Sequence, residues 1–349
     1  MPAQHHYVTS AYLDVFLADK EKLLYVYTRD RETFFRAQPD KVARRRNYYS
    51  QERDDGTVDD KVELMLQRCV EDPGLAVIRK LNAGKYTISG KARGELALLL
   101  AIQEYRVPWM RNHTEELVNI MQKQYSDMML DEPGLLERHI EAMQKDKAPG
   151  DQVVTADGIR DAIRSGEIYI AKHPGASLWA MGQAADILTH VYYGMQWVVL
   201  EGRDVPFITS DCPVHRYFLP VSTEVPYGGL VDWRVQVRFP LSRSKVLILA
   251  PDMRRMQEVH DLMEKGKREQ AAKRQYANSQ VHTIQVSGAD VAKINAHTLS
   301  MAEHIAISPI EMPEIPLLFR GECQNVRTRV QDLGNLMMVK AEYGQTAKK

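Results

Sequence analysis

The sequence predicts an α+β fold, a mainly helical core packed on a small, mostly antiparallel sheet. Three observations carry that expectation. Long stretches between Asp59 and Met195 place apolar residues three and four apart, the helical spacing. Short β-branched and aromatic runs, Leu23–Thr28, Trp197–Leu200, Arg234–Phe239 and Lys245–Ala250, are bounded by turn residues. No GxGxxG follows a strand-like run, which demotes the Rossmann reading.

Taken in order, Gln4–Phe16 is aromatic-rich and opens on His5-His6, whose side chains point apart on a strand or a helix. Leu23–Thr28 is a strand, Asp30-Arg31 a turn, and Thr33–Arg36 can pair back on it. The basic cluster Lys41–Arg46 then meets Asn47-Tyr48-Tyr49-Ser50. Val62, Met65, Leu66, Cys69 and Val70 form an amphipathic helical face, which Pro73-Gly74 is expected to interrupt. Ser89 caps the strongest helix, Lys91 to Tyr105, apolar on nearly every side and ended by Val107-Pro108.

Asn112 and Glu115 are spaced as a capping box for a helix through Leu130, with a stripe of Leu117, Ile120, Met121, Gln124 and Met128 read as core filler. Further helices are expected at Leu135–Gln144 and Asp157–Ser165, and at Leu178–Met195, capped by Ser177. Asp186 and His190 lie four apart on the last of these, the raw material of a general base or a plain surface pair.

Trp197–Val214 reads as a hairpin whose second strand runs into Thr209-Ser210-Asp211-Cys212-Pro213. Pro251–Gln280 is a charged helical stretch with seven Lys/Arg against five Asp/Glu, a candidate partner surface. Ser287 caps Ala289–Ala302, His304–Ser308 is a last strand, and periodicity fades beyond Pro309. The expected organisation is one domain over 1–309 in two lobes, 1–144 and 155–309, joined by Lys145–Val154, with a tail over 310–349.

Bulk properties exclude several classes. The formal net charge is zero, so no whole-protein field holds a polyanion or an anionic membrane. Cys69, Cys212 and Cys323 form neither a zinc-ligand pair nor a disulfide framework, which points to reduced thiols and a cytoplasmic setting. No run of about 18 apolar residues exists to span a membrane. The phosphate loop, the GxGxxG turn, HExxH and the GxSxG elbow are all absent.

What remains is a dispersed polar set. His6, Arg106 and Asp211 are the candidate catalytic residues. His6 would serve as acid, base or metal ligand, Asp211 as base or ligand, and Arg106 as a clamp on developing negative charge. His5, Tyr7, Gln103, Thr209 and Ser210 are the candidate substrate contacts. A hydrolase acting on a phosphodiester or nucleotide, with a divalent metal as candidate cofactor, requires these groups to converge within about 8 Å. The alternative is a binding or regulatory module in which the same residues fasten the N-terminal segment to the helical core. Nucleic-acid binding through Lys41–Arg46 and the tyrosines is a third, disfavoured by zero net charge. Cys212 reads as a buried, inert thiol rather than a nucleophile.

The order HHYVxxxYLxxF, LYVYTRD, NYYS, LALLLAIQEYRVP, PFITSDCPV and FPLS resembles the uncharacterised family called domain of unknown function 4238, over roughly residues 4 to 308. The resemblance marks His6-Tyr7, Gln103 with Arg106, and Ser210-Asp211. It implies no activity. The family more often carries Asn at Cys212 and Thr-Pro at Val107-Pro108, and the first departure argues against a thiol nucleophile.

Overall fold

The computed structural model describes residues 4–18, 22–31, 33–52, 58–59, 61–132, 134–144, 155–165, 167, 176–219, 229–275 and 280–320. The expected connection at Lys145–Val154 and the tail beyond Arg320 lie outside the described residues. The fold is α+β: most of the described chain is helical, and the strands form small, mostly antiparallel sheets. The described chain forms two compact units. The first joins residues 1–111 to 178–327, so it draws on both sides of the connection expected to separate two lobes. The second spans residues 112–177.

In the first unit the N-terminal strand β1 (Gln4–His6) leads into a short helix α1 (Ser10–Leu13). Next come β2 (Leu24–Thr28) and β3 (Phe34–Ala37), the expected hairpin, with Leu24 opposite Ala37. β4 (Arg44–Arg46) pairs antiparallel with β1, placing Arg45 opposite His5 and Arg44 opposite His6. β5 (Gln51–Glu52) and β6 (Val58–Asp59) form a second small pair.

The helix expected to break at Pro73-Gly74 does not break. α2 (Lys61–Leu66) passes through a π-helical turn, Gln67–Glu71, into α3 (Asp72–Asn82). Pro73 lies just past the π turn and has no amide N–H to donate back into it. The π turn inserts an extra residue and rotates the buried face. Leu66, Val70 and Glu71 therefore point inward, while Met65 and Cys69, expected on the apolar face, are exposed. Gly74 allows α3 to pass close to α4 (Gly90–Arg106), since a Cβ there would lie 2.6 Å from Leu99 Cβ. Ser89 caps α4 as expected, its Oγ accepting from the Ala92 amide at 3.2 Å.

After α4 the chain enters α5 (Pro108–Asp131) at once, with proline as the first residue. The helix expected to start at Asn112 thus begins four residues earlier, because proline's fixed φ suits a first helical position.

α8 (Ala176–Gly194, introduced below) is followed by β7 (Gln196–Gly202), which pairs not with Val205–Ile208 but with β11 (Lys245–Ala250). The expected hairpin is therefore overturned. Residues Val205–Ile208 are not a strand, and Thr209–Ser210 (β8) joins a different sheet. The five-stranded sheet runs β12-β7-β11-β10-β9, with β9 His215–Phe218, β10 Val235–Ser242 and β12 His282–Val286. Only β12–β7 is parallel among these pairs. The four-stranded antiparallel sheet runs β3-β2-β13-β8, with β13 Ile305–Ser308.

α9 (Met253–Glu264) and α10 (Arg268–Gln275) form the expected charged pair of helices. α11 (Gly288–Met301) carries a complete capping box between Ser287 and Asp290. α12 (Glu314–Arg320) lies where periodicity was expected to fade.

The main core gathers Tyr12, Leu13, Phe16, the apolar centre of α4, Trp197 and Phe239. The N-terminal segment, α4 and the five-stranded sheet thus share one apolar interior.

The second unit contains most of α5, α6 (Leu135–Gln144) and α7 (Ala156–Ser165), with the first residues of α8. Leu136 and Ile140 pack with Ile159 in a small cluster of its own. Met121 and Met128, read as core filler, are about half exposed, at 55% and 48%. No helix among the described residues is long and apolar enough to cross a membrane.

Candidate functional site

The N-terminal segment is the meeting point of the expected site residues, all within the first unit. Arg106 ends α4 and is 2% exposed. Its Nη1 donates to Glu71 Oε1, its Nη2 to the His6 carbonyl, and its Nε to Tyr49 Oη at 2.9 Å. Burial opposes the guanidinium charge, while Tyr49 and the Glu71 carboxylate favour it. The balance holds the Arg106 pKa above its ordinary value.

One turn earlier on α4, Gln103 Nε2 donates to the Tyr7 carbonyl at 2.8 Å. The two α4 residues therefore grip consecutive carbonyls of one extended strand end. From the other side, the amides of Tyr7 and Val8 both donate to the Ala43 carbonyl, at 3.0 and 3.4 Å. Ala43 holds a left-handed φ of 52° to present it, a conformation costly for a residue with a Cβ.

The two histidines diverge, as alternation on a strand requires. His5 is buried, stacks on the Tyr49 ring and accepts the Tyr49 amide on Nδ1 at 2.9 Å. His6 is partly exposed and bonds the Asp40 carbonyl through Nε2 at 3.1 Å, so Nε2 carries the proton. Burial, and then Arg44 and Arg106, hold its pKa below the ordinary value, with the Asp40 bond opposing them.

Thr209, Ser210 and Asp211 sit at β8. Tyr12 Oη donates to the Pro240 carbonyl at 2.8 Å and has one proton, so Thr209 Oγ1, 2.9 Å away, donates to it. Ser210 Oγ accepts the Cys212 amide at 3.1 Å. Asp211 is 2% exposed. Its Oδ1 accepts the Glu303 amide at 2.8 Å, and its Oδ2 accepts those of His304 and Ile305 at 2.6 and 3.2 Å. The carboxylate thus caps the start of β13. Its charge reaches Tyr7, whose pKa is raised first by burial and then by Asp211.

The structure brings His6, Arg106, Gln103 and Tyr7 together through backbone carbonyls and places Asp211 within electrostatic reach of Tyr7. Among the described residues, no three His, Cys, Asp or Glu side chains stand in a metal-holding group. Cys212 is buried. Asp186 and His190 are joined through the Asp186 carbonyl rather than its carboxylate, at 2.8 Å.

Sequence reasoning missed Glu71 and Tyr49, the side-chain partners of Arg106. Glu71 falls on the solvent face of a regular helix, and only the π turn re-aims it inward. A further polar cluster also went unread. Arg238 lies 3.6 Å from the centroid of the Tyr217 ring, against which His297 packs edge-on. Burial, and then Arg238, push the His297 pKa down to about 4.

No curated protein and no solved structure matches the chain. A family model does, over residues 4–309, a span that includes the His-Tyr strand, the Gln103–Arg106 helix end and the Ser-Asp turn. The chain therefore belongs to the family described as protein of unknown function DUF4238.

Proposed function

We propose that this chain is a binding or regulatory module in which His5, His6, Tyr7, Gln103, Arg106, Thr209, Ser210 and Asp211 work as a buried clamp rather than as a hydrolytic site. One observation carries the reading: both oxygens of Asp211 are engaged by three backbone amides at the start of β13. A carboxylate held this way is a poor base, because proton uptake would weaken three charge-assisted amide bonds at once. Arg106 is likewise committed, to Glu71, Tyr49 and a carbonyl. The clamp holds the N-terminal segment against α4. The charged surface of α9 and α10 suits a protein partner.

The test compares wild type with Asp211→Asn in thermal unfolding and in a nuclease and phosphatase screen, with and without divalent metal. The clamp reading expects a lowered melting temperature and no turnover in either protein. Turnover by wild type, lost in an Asp211→Asn variant that melts at the wild-type temperature, would restore the hydrolase.

A second reading, recognition of a phosphate-bearing ligand, has one observation in its favour. Arg44, Arg45 and Arg46 are exposed and form no ion pair among the described residues. Beside them is the buried Tyr48 hydroxyl, with Arg111 as its neighbouring cation, 4.8 Å from the ring centroid. Burial pushes the Tyr48 pKa up to about 12 although Arg111 and Arg45 act to lower it, so the phenol is a neutral donor at pH 7. Titration with ATP would show saturable binding, weakened by added salt and by Arg45→Ala with Arg46→Ala. No binding at low salt removes this reading.

A further inference from the structure

A second site lies in the first unit, away from the clamp. α8 ends at Gly194, and two arginines gather its last carbonyls. Arg93 donates from Nε to the Tyr193 carbonyl at 2.8 Å and from Nη2 to that of Met195, and Arg255 donates from Nη1 to that of Gly194 at 3.2 Å. Capping a helix C-terminus with cations accounts for these bonds. It does not account for the rest of the two side chains.

Both arginines are more than nine-tenths buried, Arg93 at 0% and Arg255 at 6% exposure. Arg93 Nη1 and Arg255 Nε have no hydrogen-bond partner among the described residues. Among the described residues one carboxylate, Asp252, pairs with them, 3.2 Å from Arg255 Nη2. Two guanidinium charges against one carboxylate leave one positive charge in excess. Burial, and then the neighbouring Arg255, push the Arg93 pKa down to about 10, as two close cations require. Arg93 lies 4.1 Å from the Trp197 ring centroid, which offsets part of its charge. The excess therefore falls on Arg255, where a buried cation is costly unless an anion meets it.

Arg255 opens onto a cavity of about 320 Å³ between the end of α8 and one face of α9. Residues 252, 255, 256, 259 and 260 recur at helical spacing along that face, so the charged stretch turns one face toward the pocket, with Arg255 its buried member. The walls are Val191, Met195, Leu230, Val231, Met256 and Val259, with the rings of His190 and His260 at the rim. A mostly apolar pocket with a few convergent polar groups is the usual form of a small-ligand site. The volume is about twice the ~150 Å³ cavity that takes benzene, room for an apolar body of about ten carbons.

We infer that this pocket binds a small monocarboxylate with an apolar tail, its carboxylate received by Arg255 and its tail seated against Val191, Met256 and Val259. The carboxylate would neutralise the excess charge beside Arg255, while Asp252 keeps its bond to Nη2. The inference does not depend on the clamp, since no residue is shared.

The test is calorimetric titration of the full chain with decanoate and with 1-decanol, both below the concentration at which they self-associate. Decanoate is expected to bind at one site per chain, about tenfold or more tighter than the alcohol, because only the acid meets the guanidinium. Arg255→Gln is expected to bring decanoate down to the affinity of the alcohol. Met256→Trp, at a partly exposed wall position that tolerates bulk, is expected to abolish binding of both. Equal affinity for acid and alcohol in wild type, absence of saturable binding, or decanoate binding unaffected by Met256→Trp would each overturn the inference.

Discussion

Replacing Asp211 by asparagine removes a charge and exchanges one acceptor for a donor, in a side chain that is almost fully buried. The best orientation of the new amide puts its oxygen where Oδ2 stood, keeping the His304 and Ile305 amides at 2.6 and 3.2 Å. Its NH2 then faces the Glu303 amide, which donated to Oδ1 at 2.8 Å, so two donors oppose each other. One charge-assisted bond of about 1.5–3 kcal/mol is lost, the other two become ordinary, and one amide is orphaned. The sum is about 3 kcal/mol, and about 4–5 kcal/mol for Asp211→Ala, which strands all three amides. For a chain of this size the asparagine variant should melt about 4 °C lower, with the alanine variant lower still. Circular dichroism on heating, at pH 7 and fixed scan rate, measures both. Melting temperatures within 1 °C of wild type, an approximate scatter for such a scan, would refute the capping role and reopen Asp211 to catalysis.

The other predictions follow the same physics. Arg106→Met leaves Glu71 buried without its partner and should cost about 3–5 kcal/mol, read from the urea midpoint, whereas Arg106→Met with Glu71→Met should recover a large part of that loss. Gly74→Ala drives a methyl to 2.6 Å from Leu99 Cβ and 2.7 Å from its Cδ2 and should destabilise by about 1–3 kcal/mol, read from the urea midpoint. Leu99→Ala removes the Cδ2 contact but keeps Cβ, so the pair should be only slightly less than additive. His297, held near a pKa of about 4 against 6.5 unfolded, binds its proton more readily in the unfolded chain. Stability should therefore fall as pH drops from about 6.5 toward 4, by about 2 kcal/mol at pH 4.5, and His297→Gln should lose that component of the pH dependence of the urea midpoint.

The local elements that the sequence already dictates are those whose cause is local. Ser89 and Ser287 cap helices because a hydroxyl three residues ahead of an amide is a property of the chain itself. The β2–β3 hairpin, the two halves of β10–β11 and the fully apolar centre of α4 follow from period and turn chemistry. The choice of His6, Gln103, Arg106 and Asp211 as polar residues at the ends of core elements was also legible, since each sits beside an apolar run.

What the tertiary structure decided is what those residues face. β7 turns away from Val205–Ile208 because Lys245–Ala250 offers a full-length apolar edge, and strand pairing is settled by partners far along the chain. The π turn rotates Glu71 toward Arg106, a change that a regular 3.6-residue period cannot express. Asp211 became a cap because the first amides of β13, more than ninety residues later, needed an acceptor, as its bond to Glu303 at a separation of 92 residues records. A sequence carries the hydrogen-bonding capacity of a side chain, but only the fold sets which groups are close enough, and dry enough, to use it.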